Sequence, residues 1–405
     1  MALCDMISES NEVIYTIYGY ITGYYDFNYI RKDGAISFSD RVRMALIRRN
    51  ILKKLLLEKD PYNIVRDTIE ESYLNYKKMM RRKAPLPYIQ IDRYLRECDA
   101  LVCNGEGTFI FTNPPRYDSI FYTLLLKLAQ EYGKETYLLN AMFSDCPKTG
   151  RNETMLKECR SILENCTKVT ARDPLSYSYY KEHLGSNVEY VPDALFTWTK
   201  YQKYLPLATT HPKVFATFPE YGGKMWDYDF SRPYICLSGS SLAAWRQEEA
   251  QKAYTRLAFA LKGWALKNDM QLYIMPTCSG DAFLEKVALA TQCPLVPVTT
   301  NILGGMSILA NARVFVSGRW HPSILASLGG TPCVFLGSNS HKTHAIQEML
   351  GNERVKEYSA IPTAEDISMI VTDVDRIIHN KKERDNILKI VQKLSDMSLH
   401  NRIQS

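Results

Sequence analysis

The run Ser317-Gly318-Arg319-Trp320-His321 follows the apolar stretch Val314-Phe315-Val316 and precedes Pro322 and a second apolar stretch, Ile324 to Leu328. An Arg and a His in such a turn can hold an anion and move a proton. The guanidinium offers a planar fork of donors, and imidazole changes charge near neutral pH. After the next apolar run, Pro332-Cys333-Val334-Phe335-Leu336, comes His341-Lys342. In open α/β sheets, ligands sit at the carboxyl ends of strands. The set Ser317, Arg319, His321, His341 and Lys342 therefore reads as an anion site with a proton donor. Taken singly, Arg319 also fits an Arg paired to a structural carboxylate, and His321 a His filling a loop.

Such a site needs strands that end together. Two stretches alternate strand-like and helix-like segments. In the first, Ala100–Cys103 is a short apolar run before a glycine turn, Ile120–Tyr132 is helical with Gly133 closing it, and Thr136–Asn140 is a strand. A helix over 152–165, a strand at Lys168–Ala171, a helix over Pro174–His183 and a strand at Val188–Val191 follow. Asp173 before Pro174 suits the cap of its helix. The second alternation begins at Tyr234–Leu237 and runs through a helix near 248–268, strand Gln271–Met275, helix Asp281–Thr291, strand Leu295–Val298 and helix Met306–Ala312 to the Arg319 turn. Repeated βαβ alternation implies parallel sheets covered on both faces.

These residues resemble the polysaccharide pyruvyl transferase family. The carriers are Ser317, Arg319 and His321, then Ala326 to Gly330 with Pro332, then Lys342. Two earlier blocks agree in order: Cys98 to Thr108, a strand leading to Asn104-Gly105-Glu106-Gly107-Thr108, and Arg172-Asp173-Pro174-Leu175-Ser176 followed by Val191-Pro192-Asp193. The resemblance spans roughly residues 95–345. It implies two Rossmann-like domains facing across a cleft (GT-B-like), and transfer of pyruvate from phosphoenolpyruvate to a sugar as a ketal. It implies donor-binding roles for Arg172, Arg319 and Lys342, with Ser317 and His341 beside them, and acceptor contacts from Asn104, Gly105, Gly107 and Thr108. His321 is the candidate general acid for the methylene carbon. Glu106 is either a base facing the acceptor hydroxyls or a turn residue capping the next helix, and Asp193 either a turn former or a cleft residue. No cofactor or metal is required by this route. A GT-B glycosyltransferase using a nucleotide sugar would place a Glu just before Ala326, where Leu325 stands. A non-catalytic carbohydrate-binding relative is the other alternative.

The chain has 405 residues, 46% hydrophobic and 23% charged, with a formal net charge of +6. That length suits two domains: 1–200, a linker at 201–232, 233–362, and a C-terminal helix over 363–405 packing back on the first domain. The mild basicity fits anionic small molecules or membrane headgroups rather than nucleic acid. The cysteines are scattered without metal-site spacing, which suits a reducing cytoplasm. No secretory leader is seen, and no apolar run approaches the ~20 residues needed to span a bilayer. Met1–Ser10 looks like the tail of a helix and Val13–Tyr18 like a strand, so the first domain is expected to lack its opening strand, or the given start lies late. Residues 41–59 form a basic amphipathic pattern, and Lys77 to Lys83 a second basic cluster within a helical insertion over 41–83. They fit a helix docked on its own sheet or one drawn to an anionic membrane. The second reading places the enzyme at the inner face of the cell membrane, with a polyprenyl-diphosphate-linked sugar acceptor as partner.

Overall fold

The computed structural model describes residues 64–82, 84, 86–210, 226–352, 354–380 and 382–403, together with Leu3, Met6 and Ile7. The expected helix tail at the N-terminus, the strand at Val13–Tyr18 and the basic segment 41–59 lie outside them. The chain divides into two compact units, the first running to Val191 and resuming at Asn401, the second spanning Pro192–His400.

The first unit opens with helices α1 (Ile69–Arg82) and α2 (Leu86–Glu97) and then alternates β1 (Ala100–Phe111), α3 (Tyr117–Glu131), β2 (Glu135–Asp145), α4 (Glu153–Leu163), β3 (Lys168–Ala171), α5 (Pro174–His183) and β4 (Glu189–Tyr190). The four strands are parallel in sequential order. The local signals are those of the sequence. Asn152 accepts from the Met155 amide at the start of α4, and Asp173 accepts from the Ser176 amide, with Pro174 in the first turn of α5. Gly133 takes φ of +69° just beyond α3. Phe109, Phe143, Tyr180, Leu124 and Leu138 fill the core between sheet and helices.

One expectation is corrected. The segment Asn104-Gly105-Glu106-Gly107-Thr108 does not end β1 in a turn. The strand continues to Phe111, because β2 is long enough to pair with it from Glu135 to Asp145. The glycines are absorbed as an irregularity between Glu106 and Phe109, with Glu106 at φ of +37°. A Cβ on Gly105 would stand 2.4 Å from that of Ala141, so the two strands approach there as only glycine allows.

The second unit contains β5 (Tyr234–Ser240), α6 (Gln247–Lys267), β6 (Gln271–Ile274), α7 (Phe283–Thr291), α8 (Ile302–Asn311), β7 (Phe315–Gly318), α9 (Trp320–Ser327), β8 (Cys333–Leu336), α10 (Lys342–Met349), β9 (Glu357–Tyr358), α11 (Ala364–His379) and α12 (Glu383–Ser398). Its parallel sheet runs β6-β5-β7-β8-β9. Leu295, expected to begin a strand of its own, makes a parallel bridge to Ile274 outside β6. The chain adds β6 on one side of β5 and then β7, β8 and β9 on the other, and the residues just beyond β5 and β7 occupy the switch point where doubly wound sheets bind ligands.

The stretch expected as a linker is partly core. Residues 194–204 form a 3₁₀ segment kinked at Tyr201, and Trp226, Tyr228 and Phe230 are buried, Tyr228 stacked on Tyr273 and Phe230 tilted against it. Residues 211–225 lie outside the described residues. The long C-terminal pattern is two helices. Thr363 and Asp366 cap α11 reciprocally, and Trp264 on α6 donates to Asp375 at 3.0 Å. α12 packs on the 3₁₀ segment, with Thr199 and Ser395 hydroxyls 2.6 Å apart. Both helices thus belong to the second unit, whereas the sequence suggested the first. Among the described residues no helix is long and apolar enough to cross a membrane.

Candidate active site

At the end of β7 the chain turns sharply into α9, and Arg319 is the residue that caps it, in extended conformation. Ser317, fully buried, accepts from the Arg319 amide at 3.1 Å and donates to the Gly239 carbonyl at 3.3 Å. The two strands that flank the switch point are thereby tied through one hydroxyl. The Arg319 guanidinium reaches sideways to Asp281, with Nη2 at 2.5 Å from Oδ1. Asp281 is wholly buried, and its other oxygen accepts from both the amide and the hydroxyl of Thr277, each at 3.1 Å. The Arg319 Nε is buried and finds no hydrogen-bond partner among the described residues.

Around this pair the chain is packed to the limit. A Cβ on Gly239 would meet the Asp281 Oδ1 at 2.1 Å, and one on Gly318 would meet the Ser240 Cβ at 2.7 Å. Burial pushes the neighbouring Cys278 thiol above its ordinary range. Burial, and then the charge of Asp281, push the Tyr254 phenol well up. Both therefore stay neutral beside the ion pair.

His321 lies two residues further on, in the first turn of α9. Its ring is half-buried, and Nε2 stands 3.4 Å from Oδ2 of Asp193. That carboxylate is buried and also accepts from the Trp320 indole at 2.8 Å and from the Leu195 amide at 2.9 Å. Beyond β8, the loop before α10 is stitched to the loop after β5: the hydroxyls of Ser241 and Ser338 are 2.9 Å apart, and the Asn339 amide donates to Ser241 at 3.1 Å. His341 and Lys342 open α10, both half-buried. The second unit thus gathers Ser317, Arg319, His321, His341 and Lys342 at the carboxyl ends of adjacent strands.

The remaining sequence candidates belong to the first unit. Arg172 is buried, donates its amide to Ala141, and has Nη2 3.8 Å from the Met142 sulfur. The same nitrogen lies 4.0 Å from where a Cβ on Gly107 would stand. Asn104 bridges the Glu106 carboxylate and the Asn140 amide at 3.3 Å each, and Glu106 is exposed. Glu106 lies within a strand, so it does not cap the next helix; that cap is Arg116, whose guanidinium binds the Gly107 carbonyl at 3.0 Å and holds Asp118. Gly105 and Thr108 are buried against neighbouring backbone and serve the sheet.

Asp281 was not singled out from sequence, and nothing local distinguishes it in Ser279-Gly280-Asp281. The available signal was Gly239, a glycine in the last turn of an apolar strand, which marks a close approach. Asp193 serves both readings at once, turning the chain at Leu195 and holding His321 and Trp320. Among the described residues no group of three or more His, Cys, Asp or Glu is arranged to hold a metal ion.

The family model described as polysaccharide pyruvyl transferase matches residues 46–340. The chain belongs to the polysaccharide pyruvyl transferase family. Arg172, Arg319 and His321 fall inside the matched range, and His341 and Lys342 just beyond it. Membership assigns the protein to the transferases, and to pyruvyl transfer in polysaccharide biosynthesis in general terms. No curated protein matches the chain. Among solved structures, it is similar to a UDP-GlcNAc 2-epimerase from Neisseria meningitidis bound to UDP-GlcNAc, at 10% identity and a TM-score of 0.51, with 84% of each chain covered. A UDP-GlcNAc 2-epimerase from Methanocaldococcus jannaschii gives 12% identity and a TM-score of 0.49, covering 86% of this chain and 89% of that one. The calicheamicin glycosyltransferase CalG4 gives 13% identity and a TM-score of 0.44, covering 80% and 76%. The Neisseria likeness supports the fold alone: this family member is built from two Rossmann-like units of GT-B type.

Proposed function

We propose that the protein transfers the pyruvyl group of phosphoenolpyruvate to two hydroxyls of a sugar, forming a cyclic ketal and releasing phosphate. The observation that carries this reading is the pairing of Arg319 with buried Asp281 two residues before His321, at a switch-point strand end, in a chain of this family. Phosphoenolpyruvate bears a carboxylate and a phosphate on one enol carbon. A guanidinium clamped from behind, with Lys342 as a second cation, suits such a dianion by charge-assisted hydrogen bonds. Clamping matters because a fixed donor costs little ordering when the anion arrives.

His321 then supplies the proton. The enol π pair takes it at the methylene carbon, forming a C–H bond as the His321 N–H bond breaks. A sugar hydroxyl adds its oxygen to the adjacent carbon and loses its proton to the bared imidazole. The C–O bond to phosphate breaks next, the second hydroxyl closes the ring, and its proton leaves with the phosphate. Two hydroxyl protons are lost; one ends on the new methyl group and one on phosphate, so the sum balances. On the first unit, we assign Asn104 and Glu106 to hydroxyl recognition and Arg172 to an anionic substrate group. The acceptor we favour is a sugar on a polyprenyl diphosphate at an anionic membrane surface. The basic segment 41–59 supports it, while Lys77 of the second cluster is already paired with Glu131 at 2.7 Å.

The test is phosphate release from phosphoenolpyruvate against a panel of nitrophenyl and lipid-linked sugars, with the ketal methyl group read by NMR. His321→Gln should abolish turnover and leave stabilisation by phosphoenolpyruvate intact in thermal shift. Stabilisation by nucleotide sugars with none by phosphoenolpyruvate would overturn the assignment. Co-flotation with anionic but not neutral liposomes, weakened by salt, tests the membrane part.

A further inference from the structure

The proton donor of the proposed reaction leans on a residue outside the donor-binding set. Asp193 is the second residue of the second unit, and its side chain is 2% exposed. Four groups reach it. Oδ1 accepts from the Leu195 amide at 2.9 Å, and Oδ2 accepts from the Trp320 indole at 2.8 Å. His321 Nε2 stands 3.4 Å from that same Oδ2. The Asp193 carbonyl accepts from the Ser398 hydroxyl of α12 at 3.1 Å. With Oδ1 held by its own backbone turn, Oδ2 by an indole and the main-chain carbonyl by a C-terminal helix, the carboxylate cannot readily retreat from the imidazole.

We infer that Asp193 is the positioning residue of the general acid, holding His321 with its Nε2–H toward the carboxylate so that Nδ1 is the nitrogen that hands over the proton. This rests on the reading of His321 given above. The chemical reason is one of valence. An ionised carboxylate only accepts, so the ring nitrogen that faces it carries a hydrogen in the neutral ring as well as in the imidazolium. Nε2 is thereby committed, and the exchangeable proton is the one on Nδ1. After transfer the imidazole is left as the Nε2–H form, ready to take the hydroxyl proton back at Nδ1 without turning. The His321 side chain is 39% exposed, which leaves room for a reactant. A buried carboxylate also gains when its partner is cationic, since an unpaired buried charge is costly.

The experiment uses the full chain labelled with ¹⁵N-histidine. At alkaline pH, wild-type His321 should show the neutral Nε2–H form in long-range ¹H–¹⁵N spectra. Asp193→Asn should shift the population toward the Nδ1–H form, because a neutral carboxamide no longer holds a hydrogen on Nε2 by charge and, with its nitrogen on that side, donates to Nε2 at the cost of the bond that Oδ2 accepts from the Trp320 indole. The same substitution should lower kcat by about 100-fold or more while KM for phosphoenolpyruvate changes less than about threefold, as expected when a tautomer rather than a binding contact is lost. Ser395→Ala is the structural control: it removes the contact of α12 with the Thr199 hydroxyl, which does not touch Asp193 or His321, and should lower the melting temperature but leave tautomer and kcat alone. A wild-type Nδ1–H form overturns the inference even if the Asp193 variant does not fold. So does an Asp193→Asn enzyme with wild-type kcat, or one that loses kcat and donor KM together. The tautomer is read without substrate. Its predicted response in a protein that releases no phosphate would therefore sustain the Asp193 assignment while the donor reading fails.

Discussion

Gly239→Ala adds one methyl group and no charge, yet it should disable an ion pair. The new Cβ would sit 2.1 Å from the Asp281 Oδ1 and 2.7 Å from its Cγ. To reach even 3.0 Å the carboxylate must retreat by about 0.9 Å. It has nowhere to go cheaply, since it is fully buried and held by Thr277 on one side and by Arg319 on the other. Overpacking of this kind costs about 1–3 kcal/mol. Loosening a charge-assisted bond to Arg319 adds roughly 1.5–3 kcal/mol, so a total near 3–5 kcal/mol is expected. At about 2–4 °C per kcal/mol for a unit of this size, the melting temperature should fall by roughly 6–20 °C. The assay is urea and thermal unfolding of Gly239→Ala, Asp281→Ala and the double variant. With Asp281 truncated, the added methyl finds the vacated volume, and Gly239→Ala should then cost under about 1 kcal/mol. Melting within a degree of wild type, or equal cost in both backgrounds, would refute the steric argument.

Other outcomes follow from the same geometry. Lys342→Met should weaken phosphoenolpyruvate binding by about 1.5–3 kcal/mol, read by calorimetry, with a smaller effect at high salt. Arg384, pushed below its ordinary pKa by burial, donates to the carbonyls of Ala310 and Ala312 at the C-terminal end of α8 and to the Thr331 hydroxyl. Arg384→Met leaves those acceptors short and should cost about 2–3 kcal/mol in denaturant. In the first unit burial pushes Asp92 up, but hydrogen bonds from Arg96, Tyr132 and Tyr76 outweigh it and hold the carboxyl below its ordinary value. A depressed carboxyl stabilises the fold above the unfolded value of about 3.9 and ceases to do so as pH falls through the folded one. Acid unfolding of wild type should therefore steepen below about pH 4, and Asp92→Asn should flatten that limb.

Much of the architecture was legible because its signals are local. Asp173-Pro174 announces a capped helix, Gly133 a helix end, and Lys168–Ala171 a strand that the structure reproduces residue for residue. The placement of Arg319 and His321 at the end of β7 was legible for the same reason, since they flank one buried Trp within a short window. What was hidden is held across distance. Asp281 meets Arg319 over 38 positions and Asp193 meets Trp320 over 127, so no window of sequence contains either pair. Glycines at 105 and 107 misled because a glycine run reads as a turn until a partner strand long enough to extend it is known. The bland reading of Arg319, an Arg tied to a carboxylate, was right about its partner.

The division of the chain has a topological consequence. The polypeptide leaves the first unit after Val191, whose amide donates to Ala171 at 3.0 Å, and returns at Asn401, which accepts from the Thr170 hydroxyl at 2.7 Å. Exit and return thus lie on neighbouring residues of β3. The excised piece closes on itself equally well, with Ser398 bonded to Asp193. The second unit is in effect a cassette inserted into the first, and its ends already touch. A few residues would suffice to seal the gap it leaves, so each half could be made, refolded and titrated with its own ligand alone.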